Sequence, residues 1–94
     1  MTTFLIERCI EGASNLSERE LAEIAVKSNQ VVADLGVPYR WVTSYVAGDK
    51  IYCIHEADDV DTILRHAECG GFPADLVVAV AAQIGPETAQ LVSS

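Results

Sequence analysis

The apolar positions of this chain change period along its length, and each change predicts an element. Thr2–Glu7 is a short run carrying Phe4, Leu5 and Ile6 that ends at charges, which reads as a strand. Glu11–Leu16 is mostly small and polar and reads as a loop. From Leu21 the apolar residues recur at helical spacing through Ile24, Ala25, Val31, Val32 and Leu35, with Ser28 in the same stripe. Ser17 and Glu20 fit the capping box that starts such a helix, each satisfying a free backbone N–H of the other. Gly36 and Pro38 stand where it ends. Tyr39–Val46 and Ile51–His55 are rich in aromatic and β-branched residues, and a tight turn centred on Gly48-Asp49 joins them into a hairpin. A second, shorter helix is capped by Asp58 or Asp59 and carries Val60, Ile63, Leu64 and Ala67 as its apolar stripe before Gly70-Gly71 ends it. Phe72–Asp75 turns into a last strand, Leu76–Ala82, and Gly85-Pro86 then breaks the chain.

The order is strand, helix, strand, strand, helix, strand, in one domain spanning residues 1–94 with a short flexible tail from about residue 87. The expected architecture is α+β, a ferredoxin-like βαββαβ sandwich whose four-stranded antiparallel sheet carries two helices on one face. In the hairpin, Tyr45 falls opposite Tyr52 and Ser44 opposite Cys53. Regular alternation then puts Val42, Ser44, Val46, Ile51, Cys53 and His55 on one face, and Trp41, Thr43, Tyr45, Tyr52, Ile54 and Glu56 on the other. Two helices cover only one side of such a sheet. Trp41, Tyr45 and Tyr52 are too apolar to line a bare surface, so the uncovered side is expected to form a sheet-to-sheet homodimer or a ligand cleft.

Charge narrows the partners. The formal net charge is -8, from 14 acidic and 6 basic residues. Phosphate backbones repel that balance, which argues against nucleic acid. It attracts cations instead: metal ions, amines or a basic protein. No apolar run approaches the roughly 20 residues of a membrane helix, so no membrane partner is expected. Cys9, Cys53 and Cys69 are an odd, widely spaced set with no C-x-x-C pair, and Met1–Ile10 has no secretory pattern. A reduced, cytoplasmic setting is the expectation.

Few side chains carry recognisable chemistry. His66 flanks the stripe of the second helix, either as a metal ligand or acid–base group, or as a helix-end histidine favoured by the dipole. Cys53 sits mid-strand, where a lone cysteine is more often a small buried hydrophobe than a soft-metal ligand. His55 and Glu56 precede Asp58, Asp59 and Asp61. Imidazole and carboxylate suit nickel, zinc or cobalt, but neighbouring strand residues point to opposite faces, and capping and solubility explain the aspartates more simply. Glu7-Arg8 reads as a surface pair, with Glu7 a candidate acid or ligand if it faces the uncovered side. No nucleophile has a base at a clear spacing, which argues against nucleophilic catalysis.

Taken as a set, Phe4-Leu5-Ile6-Glu7-Arg8, Lys27-Ser28-Asn29, Trp41-Val42-Thr43-Ser44-Tyr45-Val46, Asp49-Lys50-Ile51-Tyr52-Cys53, His66-Ala67, Gly70-Gly71-Phe72-Pro73-Ala74-Asp75 and Ile84-Gly85-Pro86-Glu87-Thr88-Ala89 are specific. They resemble a small bacterial family of unknown function whose members are commonly labelled nickel-binding protein. The resemblance spans Phe4 to about Ala89. It implies a ferredoxin-like fold, a homodimer and binding of Ni2+, for sequestration or tolerance, and no nameable reaction. Residue chemistry then makes His66, Cys53, Glu7 and His55 the candidate metal ligands. Cys9 stands where the family has an acidic residue, and His55 where it has an aromatic one. The alternative is a small-molecule-binding domain or cofactor-free enzyme, with Trp41, Tyr45 and Tyr52 lining a cleft on the uncovered face of a dimer.

Overall fold

Ser17 starts the first helix as the sequence requires. Its hydroxyl accepts from the Glu20 N–H at 3.1 Å, and the Glu20 carboxylate accepts from the Ser17 N–H at 3.0 Å. The computed structural model describes residues 1–92. It comprises β1 (Thr2–Cys9), α1 (Glu18–Leu35), β2 (Tyr39–Ala47), β3 (Lys50–Ala57), α2 (Val60–Gly70) and β4 (Leu76–Ala79), with short 3-10 turns at Ala13–Asn15 and Pro86–Leu91. The expected tail begins within the second of these turns, and its end at residues 93–94 lies outside the described residues. Gly36 and Gly71 close the two helices in the left-handed conformation, at φ 67° and 68°, which costs a glycine no Cβ clash.

The sheet order is β2-β3-β1-β4 and every pairing is antiparallel. With two helices in βαββαβ order, the fold is ferredoxin-like. Strand alternation builds its core. Phe4 and Ile6 of β1 and Ile51, Cys53 and Ala57 of β3 point inward and meet Ile63 of α2. Ile6 and Ile63 are fully buried, each contributing about 1.5–3 kcal/mol by leaving water.

The hairpin register is the expected one: Ser44 lies opposite Cys53 and Tyr45 opposite Tyr52. The alternation behind it is not regular. Trp41 pairs with His55 and Thr43 with Ile54, so Val42 is the extra residue of a β-bulge. The bulge returns Trp41 to the helix side with His55, and separates it from Tyr45 and Tyr52.

The stripe of α2 is also rotated from its expected position. Ile63, His66, Ala67 and Gly70 are buried, whereas Val60 and Leu64 are exposed. Packing against β3 selected the face that buries an imidazole over the face carrying a leucine. Finally, β4 ends at Ala79 instead of Ala82. Val80 N–H still donates to Thr3 O at 2.8 Å, but Thr2 is the first residue of β1, so the partner strand runs out.

Candidate functional site

The inner face of the sheet and α1 border a half-open cavity of about 260 Å3. Its walls are mostly apolar: Leu21, Ile24 and Ala25 of α1 face Val46 and Ile51 of the hairpin. A few polar groups converge on it, namely Arg8, Ser28, Trp41, Cys53, His55 and His66. An apolar pocket with a small set of inward polar groups is the usual form of a ligand site.

Two histidines lie side by side in its wall. His66 is 0% exposed and His55 1%, and their rings meet edge to face with centroids 5.0 Å apart. Ser28 of α1 reaches His66 Nε2 at 3.1 Å. His66 Nδ1 is buried with no hydrogen-bond partner among the described residues. Tyr39 and Phe72 stack on the His66 ring, with centroids at 5.1 and 5.7 Å. The Tyr39 hydroxyl bonds His55 Nδ1. Burial raises the Tyr39 pKa, so its O–H stays on and donates. His55 therefore accepts at Nδ1 and carries its proton on Nε2.

Both imidazoles are uncharged at neutral pH. Burial pushes His55 down to about 3, assisted by charge on His66 and on Arg8. Burial and the Arg8 guanidinium push His66 down to about 4. Arg8 itself is only 4% exposed. Its Nε donates to Cys53 Sγ at 3.4 Å and its Nη1 to Pro73 O at 2.6 Å, while the guanidinium carbon lies 5.4 Å from the centre of the Phe72 ring.

The structure thus brings together three of the four candidate metal ligands, His55, His66 and Cys53. It sets Glu7 apart. Glu7 alternates with Arg8 on β1, points to the outer face and pairs with Lys50 at 2.5 Å. Among the described residues, no group of three or more His, Cys, Asp or Glu side chains is placed to hold an ion. The four candidates do not fit a preformed metal cage, and the positive charge of Arg8 in the same wall disfavours a bare cation. Nor do the aspartates form a site. Asp59 caps α2, accepting from the Thr62 N–H at 2.8 Å.

The expected cleft residues divide as well. Trp41 lines the pocket on the helix side, with its indole N–H donating to Ser44 Oγ at 2.8 Å. Tyr45 and Tyr52 remain on the outer face. The cavity therefore lies under α1, not on the uncovered side. The expected surface pair Glu7-Arg8 is split, with Arg8 buried on the inner face. Its period-two spacing from Phe4 and Ile6 is the signal that places it inward. Nothing in the sequence marks Tyr39 or Phe72 as partners of the histidines, because those contacts join distant elements.

Comparisons agree with this architecture. The crystal structure of SCO4226 from Streptomyces coelicolor A3(2) superposes with a TM-score of 0.73 at 20% identity, over 87% of this chain and 99% of that one. That likeness bears on the fold. No curated protein matches the chain. A family model described as "Nickel responsive protein SCO4226-like" matches residues 4–80, most of the chain, and the chain belongs to that family.

Proposed function

We propose that this chain is a ligand-binding protein of a nickel response, and that its binding site is the pocket between α1 and the sheet. The observation that carries this reading is the convergence of Arg8, His55 and His66, all buried, on a cavity with otherwise apolar walls. A core needs no such groups, and each is expensive to desolvate. The nickel connection comes from the family description. Ser28 Oγ lies within hydrogen-bond reach of His66 Nε2, but no third group among the described residues orients the imidazole through Nδ1, so the reading is binding and not catalysis.

The test uses Trp41, the chain's single tryptophan, as a reporter in the pocket wall. A small-molecule screen by thermal shift and Trp41 emission is expected to give a ligand that raises Tm by several degrees. Ala25→Phe, which fills the cavity, abolishes its binding. Ala22→Phe, on the exposed side of the same helix, leaves it intact. A ligand that binds Ala25→Phe as well as wild type would place the site elsewhere.

A second reading keeps the ion itself as ligand, because His66 Nδ1 lacks a partner and both imidazoles are in the uncharged form that metals require. In it, Ni2+ is held by His66, with His55 and Cys53 nearby and water completing the shell. Calorimetric titration of chelator-stripped protein decides it. Micromolar affinity for Ni2+, lost in His66→Ala, supports it; millimolar, unselective binding reduces it to cations attracted by an acidic surface.

We place a second copy of the chain on the outer face of the sheet. Tyr45, Leu76 and Val78 are exposed there, and burying such a patch favours association. Sedimentation at micromolar concentration is expected to give a dimer, and Tyr45→Glu a monomer. A monomeric wild type rejects this assembly.

A further inference from the structure

We infer that the occupant of the pocket is a small organic acid, a largely apolar molecule whose single carboxylate is received by Arg8. This rests on the pocket being the binding site proposed above and names the class of ligand. A guanidinium does not give up its proton in a protein, so Arg8 is a permanent cation at 4% exposure. None of the ion pairs among the described residues involves it, and the pocket wall contains no aspartate or glutamate. In a chain with a formal net charge of -8, this pocket is lined by a positive charge with no ion-pair partner among the described residues.

What Arg8 does have are neutral partners: Pro73 O, Cys53 Sγ and the Phe72 ring. These fix the guanidinium without neutralising it, and its Nη2 is left without a hydrogen bond among the described residues. A guanidinium edge held in place and facing an apolar cavity is the geometry that receives a planar carboxylate. The charge also sets the valence. One carboxylate cancels one guanidinium, whereas a phosphate dianion would leave an excess negative charge buried, and a divalent cation would add to the repulsion.

The remainder of the ligand is set by the walls. Leu21, Ile24, Val46 and Ile51 offer no hydrogen bonds from their side chains, so the body of the molecule is hydrocarbon. The cavity, about 260 Å3, lies just under the roughly 300–1,000 Å3 of pockets for drug-sized ligands, so the body is short. His66 lines the same cavity, and its Nδ1 is buried without a hydrogen-bond partner among the described residues. It becomes a donor when the Ser28 hydroxyl donates to Nε2.

The experiment measures straight-chain carboxylates from butanoate to octanoate against the primary alcohols of the same length, on the intact protein, by Trp41 emission and calorimetry. The acid is expected to bind at least about tenfold more tightly than its alcohol. Arg8→Met removes that preference, and Arg8→Lys keeps part of it. Equal affinity for acid and alcohol in the wild type overturns this inference while leaving the pocket as a binding site. Failure of every acid, where neutral molecules from the screen do bind, overturns it in the same way. If no molecule of any class binds, the pocket reading falls with it. Should Arg8→Met not fold, the wild-type comparison of acid with alcohol decides alone.

Discussion

Ser28 Oγ and His66 Nε2 lie 3.1 Å apart in a buried hydrogen bond that ties the middle of α1 to the inner face of α2. It is the only side-chain hydrogen bond made by either residue among the described residues. In an interior where the other histidine nitrogen has no partner, this contact sets the orientation of the ring. Ser28→Ala removes the hydroxyl partner of Nε2. The expected cost is about 1–3 kcal/mol of stability, read as a lower urea midpoint with an unchanged slope. An unaltered midpoint would show that the imidazole finds another partner.

The two depressed histidines make stability depend on pH in a defined window. In the unfolded chain imidazole titrates near 6.5, whereas His66 is held down to about 4 and His55 to about 3 in the fold. Below pH 6.5 the unfolded chain therefore takes up protons that the folded chain refuses. Their contribution is fully present above 6.5 and is lost as pH falls toward 4. Each histidine gives a slope of at most about 1.4 kcal/mol per pH unit. Urea midpoints between pH 7.5 and 5 test this above the range where most carboxylates titrate, and His66→Phe should roughly halve the slope. A flat profile from pH 7 to 5 would falsify the assignment of both rings as buried and neutral.

Gly70 is required by its neighbour. It lies in the last turn of α2, and a Cβ there would overlap the Phe72 ring, which itself stacks on His66 and lies beside the Arg8 guanidinium. Gly70→Ala raises helix propensity, yet it is expected to destabilise the protein by about 1–3 kcal/mol through overpacking. Because Phe72 must move, binding in the pocket should weaken more than in Ser28→Ala at equal loss of stability. A stabilised Gly70→Ala would mean that Phe72 swings aside freely.

The bulge makes a different kind of prediction. Val42 is 41% exposed, and it is the residue without a partner between Trp41 and Thr43. Deleting it leaves Trp41 opposite His55 and Thr43 opposite Ile54 in a regular ladder, with every inward side chain still inward. The deletion is therefore expected to cost less than about 1 kcal/mol, with the Trp41 emission maximum unchanged. A red-shifted maximum would show that Trp41 had moved to the solvent side.

Local signals determined much of this protein. Capping at Ser17 and Asp59, the glycines at 36 and 71, the turn at Gly48-Asp49 and the period of the apolar residues fixed the six main elements and their order, and with them the ferredoxin-like sheet. These features act within a few residues of chain, where sequence spacing is spatial spacing. The cross-strand pairs Ser44–Cys53 and Tyr45–Tyr52 were legible for the same reason, since a tight turn sets the register next to it. Beyond the Val42 bulge that reasoning lost its footing, because one extra residue reverses the face of everything before it.

Tertiary packing decided the site. Whether α2 buries Leu64 or His66 differs by a small rotation of one helix, and the choice depends on the space offered by β3 and α1. Whether Arg8 is a surface charge or a buried one depends on Phe72 and Pro73, 64 and 65 positions away by residue number, arriving to hold it. The sequence by itself determined which residues form strands and helices, because hydrogen bonding and apolar periodicity are local. Only the folded chain determined which polar groups it encloses, because desolvation is set by neighbours far apart in sequence.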